Sequence, residues 1–396
     1  MIARAALGGL GLLHAVFASA YEFSGPVTVA SAEGKVFYHL DSSGRQGMAS
    51  NDGLLALVWE DNASGTPQVR VAFRNNGAAG FAEPVAVSDA ASPAYEPVIA
   101  ACGKGFVVGW EAGDTVWLRS VTPSGMGEPV AVVSSAARHL SLNETPDGRS
   151  VAAVWAERHG RFFQIAQGRV SGCDTELRVQ HAGLVDRTPD KTDQLYPAVA
   201  VTKAGTVVAW EDRRSGSTRI YTAFAPTGQG FLRYRLLNEY APSPNPKYGK
   251  GTGAMRVVLS TDQDRSVMAV WMDKRSFEGG YDVYAAFSHD GGRSFGKNEL
   301  VQDEFGENIP QWHAAGVLVG KGRAVVAWDD TRDDTPDIWF SERDEDGEWS
   351  DDENWPGGAG KGAQTFPVLL LDEDGLHAAW QTREGNRSSI RYIRAQ

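Results

Sequence analysis

The sequence predicts an all-β fold, a closed ring of seven four-stranded units, on three observations. An apolar strand ending in tryptophan recurs seven times, a charged turn and a second strand follow most of them, and the two chain ends read as complementary fragments of one unit. The tryptophan strands are LLALVW to Trp59, GFVVGW to Trp110, SVAAVW to Trp155, TVVAW to Trp210, SVMAVW to Trp271, AVVAW to Trp328 and GLHAAW to Trp380. Their spacings of 51, 45, 55, 61, 57 and 52 residues suit four strands joined by variable loops.

Within each unit the strands are assigned A to D, with the tryptophan closing strand B. Strand A is often opened by proline (Pro97, Pro197, Pro310, Pro367), a position where the missing N–H costs no ladder bond. Tight turns such as Asn51-Asp52-Gly53 and Asp374-Gly375 join A to B. Strand C follows the charged turn, as in Arg219-Ile220-Tyr221 after Glu211-Asp212-Arg213-Arg214. Strand D often reads Pro-Val-x-Val, as at Pro84–Val87 and Pro129–Val132. The last unit stops after its strand C (Ser389 to Ile393), while Gly25-Pro26-Val27-Thr28-Val29 matches the missing strand D. The N-terminal strand is thus expected to complete the last blade of a seven-bladed β-propeller, leaving no open sheet edge in the ring. Six blades plus an extra hairpin is the alternative.

Composition narrows the function classes. A net charge of −12 and a pI near 5.2 argue against a nucleic-acid partner, which needs clustered Lys and Arg. Arg4, the apolar run from Ala5 to Phe17 and Ala18-Ser19-Ala20 read as a signal peptide cleaved after Ala20, which places the mature protein in the periplasm or outside the cell. No later stretch is apolar enough for a membrane span. Cys102 and Cys173 fall in turns on one face of neighbouring units, and spacing alone leaves open whether they join. Nothing has metal-ligand, GxSxG, P-loop or dinucleotide spacing, so no cofactor or metal is expected.

Ser288-His289-Asp290-Gly291-Gly292-Arg293-Ser294-Phe295 resembles the Asp box, S-x-D-x-G-x-[ST]-[FW], of the sialidase-like (BNR-repeat) propellers. The resemblance extends through the tryptophan repeat over most of the chain. It implies that Ser288, Asp290, Gly292 and Phe295 form a structural hairpin on the face away from an active site. Sialidases of that superfamily clamp a carboxylate with three arginines beside a Tyr–Glu pair and an Asp. The first arginine lies two residues before the strand A proline. Here Tyr95, Leu195, Asn308 and Thr365 stand at that place, and none is arginine.

The D–A and B–C connections of a propeller share the end at which ligands bind. Among the B–C turns, Glu211 or Asp212 with Asp273 offers the two carboxylates that glycoside hydrolysis uses, and Arg213, Arg275 and Arg332 offer a clamp for an anion. The opposing reading is that residues recurring at one blade position make repeat-to-repeat ion pairs. The longer D–A loops hold aromatic candidates for a sugar or protein face, Tyr248 beside Tyr240, Lys247 and Lys250 in one and Trp355 in another. Trp312 and His313 begin the sixth strand A, toward the channel mouth. The expectation is an exported propeller that binds a glycan or an extracytoplasmic protein on this loop face. The alternatives are a glycoside hydrolase or polysaccharide lyase, and an envelope scaffold.

Overall fold

The computed structural model describes residues 21–40, 46–133, 135–239, 252–275, 279–303 and 309–396. The expected signal peptide lies outside the described residues. Every regular element among them is a strand. Seven sheets follow one another along the chain, and in each but the last the strands come from one continuous stretch of sequence. Blade 4 shows the plan: Gln194–Thr202, Gly205–Asp212, Arg219–Pro226 and the short outer strand Arg235–Leu236, paired A to B to C to D. Blade 6 has three strands, and isolated bridges from Phe340 to Glu353 and from Arg343 to Trp349 replace its fourth.

The ring closes as expected. Val27–Glu33 lies antiparallel to the last strand, Arg387–Ala395, with Val27 opposite Tyr392 and Glu33 opposite Arg387. The chain therefore forms seven blades, and the N-terminus supplies the outer strand of the seventh.

The core lies between blades. All seven repeat tryptophans are buried. Trp210 packs with Val154 and Ile165 of blade 3, and Trp271 with Ala200, Val207 and Ile220 of blade 4. Each B strand thus has both faces covered, which is why it reads as an unbroken apolar run rather than an alternating one. The disulfide left open above forms: Cys102, at the A–B turn of blade 2, is bonded to Cys173, at the C–D turn of blade 3, with 5.7 Å between the Cα atoms. At the same end the Ser288–Phe295 turn is closed by its own side chains. Asp290 accepts from the Ser294 amide and hydroxyl, and Ser288 Oγ accepts from the Gly292 amide. Burial tends to raise the Asp290 carboxyl, but the bonds from Ser294 and Ser288 outweigh it and hold it below its usual range. Gly292 has a φ of 94° and lies where an added Cβ would meet Val207 at 2.6 Å, so glycine is required there twice over. No helix among the described residues is long and apolar enough to cross a membrane.

Candidate functional site

The B–C turns lie at the opposite end of the ring, where strand B ends and strand A begins. Residues two apart on a strand share a face, so the residue after next from each tryptophan stands beside its indole. In five blades that residue is a carboxylate accepting the indole N–H: Asp61, Glu157, Asp212, Asp273 and Asp330, at 2.8, 3.0, 3.4, 3.1 and 3.0 Å. In blades 4, 5 and 6 an arginine two residues further on returns to the same carboxylate. Arg214 reaches Asp212 and Asp186, Arg275 reaches Asp273, and Arg332 reaches Asp330 and Asp352. Each guanidinium also lies over the aromatic ring that strand C places opposite the tryptophan: Tyr221 at 5.0 Å, Tyr284 at 3.6 Å and Trp339 at 4.1 Å. Burial opposes the Arg214 charge, and Asp212 with Asp186 more than compensates, so the group stays cationic. The pattern Trp-x-Asp-x-Arg is present in the sequence at Trp210, Trp271 and Trp328, and it was the missed signal. Asp212, Asp273, Arg275 and Arg332 are thereby each bonded within their own blade, in a contact repeated from blade to blade.

The residue directly after the tryptophan points to the other face of the blade, toward the next one. In four blades it is a carboxylate, and it accepts a backbone N–H from the start of the following strand A. Glu60 accepts from Glu96 (2.8 Å), Glu111 from His139 (2.6 Å), Glu211 from Arg256 (2.8 Å) and Asp329 from Phe366 (3.0 Å). Each of these donors has a positive φ, between 56° and 58°, and sits in a β-bulge that shifts the A–B register. Tyr196 (48°) and His313 (53°) hold the same place in blades 4 and 6. A left-handed conformation is unfavourable for such side chains and persists where the surroundings enforce it. Here the neighbouring carboxylate bonds the donor's amide in four blades.

The bulges set a set of side chains on successive innermost strands. His139 stacks on Tyr196 with ring centroids 3.9 Å apart, and the Arg256 guanidinium lies 3.4 Å from the centre of the Tyr196 ring. Across the ring His313 packs on Phe366 (4.0 Å), and His39 meets the same phenyl edge-on (4.7 Å). His313 Nδ1 lies 2.7 Å from Asp329 Oδ1, which fixes the imidazole. Beside the first group, Arg138 and Arg158 both face the Phe163 ring, at 4.0 and 4.5 Å. Arg138 precedes the bulge of blade 3, in the register position that Tyr95, Leu195 and Thr365 hold in their blades. No proline marks it, because blade 3 has Leu140 where those three blades have Pro97, Pro197 and Pro367.

Glu211 is the one predicted catalytic carboxylate that bonds no indole. Burial pushes its carboxyl up to about 6, against the lowering effect of the Arg256 amide and of the Arg256 and Arg213 charges. Burial also raises the Tyr281 phenol, and the Glu211 and Asp273 charges raise it further. Trp312 packs on Tyr281 at 5.2 Å, half-buried, so it stands beside this group. Arg213 is exposed and donates through Nε to Thr218 Oγ1. Trp355 is not on a loop shelf: it is 1% exposed and packs between Phe340 and Trp380 in the core. Tyr248 lies outside the described residues.

The sequence matches no family model and no curated protein. Solved structures do match. One is a PL25 polysaccharide lyase, an ulvan lyase bound to a glucuronate–sulfated rhamnose unit, with a TM-score of 0.56 at 7% identity over 93% of this chain and 95% of that one. Another is the α-L-arabinofuranosidase Arb93A of Fusarium graminearum in complex with an iminosugar inhibitor, at 0.50 and 11% identity over 93% and 98%. Sialidases are also among the matches, with a Trypanosoma rangeli enzyme at 0.46 and 9% identity over 96% of this chain and 59% of that one. What the chain has in common with the first two is the fold: it is built as the β-propeller found among sugar-acting proteins.

Proposed function

We propose that the mouth end of blades 3 to 5 binds an acidic glycan, and that the protein does so outside the cytoplasm. One observation carries the reading. Arg138, Arg158, Arg213 and Arg256 make no ion pair among the described residues, whereas Arg214, Arg275 and Arg332 at the same end of the ring are each bonded to a carboxylate. Nη1 of Arg256 is buried with no hydrogen-bond partner, a cost that an incoming carboxylate or sulfate oxygen would relieve. Forked guanidinium groups suit the oxygens of such anions, and stacking on the Tyr196 and Phe163 rings holds Arg256, Arg138 and Arg158 in place. The N-terminal segment and the Cys102–Cys173 disulfide support export.

Calorimetric titration with oligogalacturonides and with neutral oligosaccharides of equal length tests this. Binding of the acidic series alone, weakened by Arg256→Met, is the expected result; equal binding of both series, or of neither, would overturn it. A second reading, cleavage of the bound chain, is favoured by Glu211. A carboxyl titrating near 6 keeps a proton for a leaving group in weakly acidic medium. Release of new chain ends by the native protein but not by Glu211→Gln, at unchanged affinity, is the outcome that distinguishes an enzyme from a binding module.

A further inference from the structure

The outer edge of blade 4 carries a second concentration of positive charge, remote in the blade from the mouth. Its strand D region reads Phe231-Leu232-Arg233-Tyr234-Arg235-Leu236. Arg235 lies in the short outer strand and Arg233 just before it, and both line one face. That face is the one toward blade 5, since Leu237 on the same side packs with Ala254 and Leu259 of blade 5. From blade 5 the Ser288–Phe295 turn sends Arg293 back over the Phe224 ring, at 5.2 Å. The turn is held in place by the close approach of Gly292 to Val207 and by the Ser294 and Ser288 bonds to Asp290.

Between these elements lies an open groove of about 480 Å³, lined by Arg233, Arg235, Arg293, Phe224 and Thr222 among others. All three arginines are exposed, and among the described residues none forms an ion pair or donates a side-chain hydrogen bond. In a chain of net charge −12, three guanidinium groups without acidic partners around one concavity run against the average. Leu232 and Leu236, both close to half exposed, stand along the same stretch of chain.

We infer that this groove is an anion-binding subsite for a carboxylated or sulfated polysaccharide, separate from the channel mouth. Paired N–H donors on each guanidinium match carboxylate and sulfate oxygens. A peptide adding as a further strand fits less well, because only Arg235 and Leu236 lie in the ladder, too short an edge to template one. Placed on the blade rim, such a subsite would hold a long chain on the protein whichever residues engage its end. It does not depend on what the mouth binds.

The test uses the full mature chain and five probes: polygalacturonate, dextran sulfate, neutral dextran, short oligogalacturonides and an acidic peptide. Affinity electrophoresis is run on the native protein, on Arg233→Ser/Arg235→Ser/Arg293→Ser, and on Arg158→Ala as a mouth variant. The expected result is retardation by the two anionic polymers only, weakened about tenfold in the triple variant and by added salt. Circular dichroism and the thermal midpoint show that the triple variant is folded; all three side chains are exposed, so the fold is expected to be kept. Undiminished retardation of the triple variant would overturn the subsite, as would equal retardation by neutral dextran. Loss in Arg158→Ala but not in the triple variant would assign polymer binding to the mouth alone. An acidic peptide that binds in place of either polymer would overturn the choice of ligand. Short oligogalacturonides separate the two sites, since their affinity is expected to follow Arg158 and not the rim arginines.

Discussion

Arg214 stands in the B–C turn of blade 4 and Arg158 at the end of strand B in blade 3, and the contrast between them explains this end of the molecule. Arg214 is buried, bonded to Asp212 and Asp186, and covers Tyr221 and Tyr234. Arg158 is exposed and shares the Phe163 ring with Arg138, with no ion pair among the described residues. The same residue type thus serves as a fastener where the tryptophan is followed by Asp at the second position and Arg at the fourth. It is left available where that pattern fails, as in blade 3, where Glu157 bonds Trp155 and His181 instead. Charge alone does not mark a site; charge without a partner does.

The largest break in that comparison is Arg214→Ala. It leaves Asp212 and Asp186 buried without a cationic partner, and removing one partner of a buried pair costs about 3–5 kcal/mol. Trp210→Ala is expected to cost a similar 3–5 kcal/mol, through the cavity and the lost indole bond to Asp212. Urea denaturation measures both. A loss below about 1 kcal/mol in Arg214→Ala would mean that the pair is not a fastener. Arg275→Ala sharpens the gradation. Its side chain is 23% exposed and has one carboxylate partner, so about 1–3 kcal/mol is expected, between Arg214 and Arg158.

How much of this was legible in the sequence differs between fold and site. The blades were legible because a B strand buried on both faces leaves an apolar run closed by tryptophan, and because Gly25–Val29 lacked a partner that Ser389–Ile393 also lacked. Period-two alternation places Asp212 beside Trp210, so Trp-x-Asp-x-Arg was readable as well, yet the same acids and arginines suggest a catalytic cluster when their indole partners are ignored. The left-handed residues were not legible. His139, Arg256 and His313 carry no local signature of positive φ, and what sets the His139 and Arg256 amides is a carboxylate of the preceding blade, more than twenty residues away. Arg138 escaped for a similar reason, since its register is fixed by pairing with Ala156 and not by a proline.

Glu211 connects the two classes, being structural through the Arg256 amide and chemical through its proton. The folded carboxyl titrates at about 6 against an ordinary 4.5, so between those values the folded state binds more protons than the unfolded one. Stability therefore falls as pH rises through this window, by on the order of 2 kcal/mol. Glu211→Gln removes that slope while keeping an oxygen for the Arg256 amide. Denaturation series at pH 4.5 and 6.5 measure it, and an unchanged slope in the variant would assign the proton uptake to another group.

The smallest expected effect on stability decides the other half of the comparison. Arg158→Ala removes an exposed side chain that makes no ion pair, so the unfolding free energy is expected to stay within about 0.5 kcal/mol of the native value. Affinity for oligogalacturonides is expected to fall about tenfold, as for the loss of one charged contact to a bound anion. The two readouts are informative together because Arg214→Ala should behave in the opposite sense, unstable yet retaining affinity in whatever fraction stays folded. If Arg158→Ala destabilised the protein by several kcal/mol and left affinity unchanged, its stacking on Phe163 would be one more blade contact, and absence of a carboxylate partner would lose its value as a marker of the site.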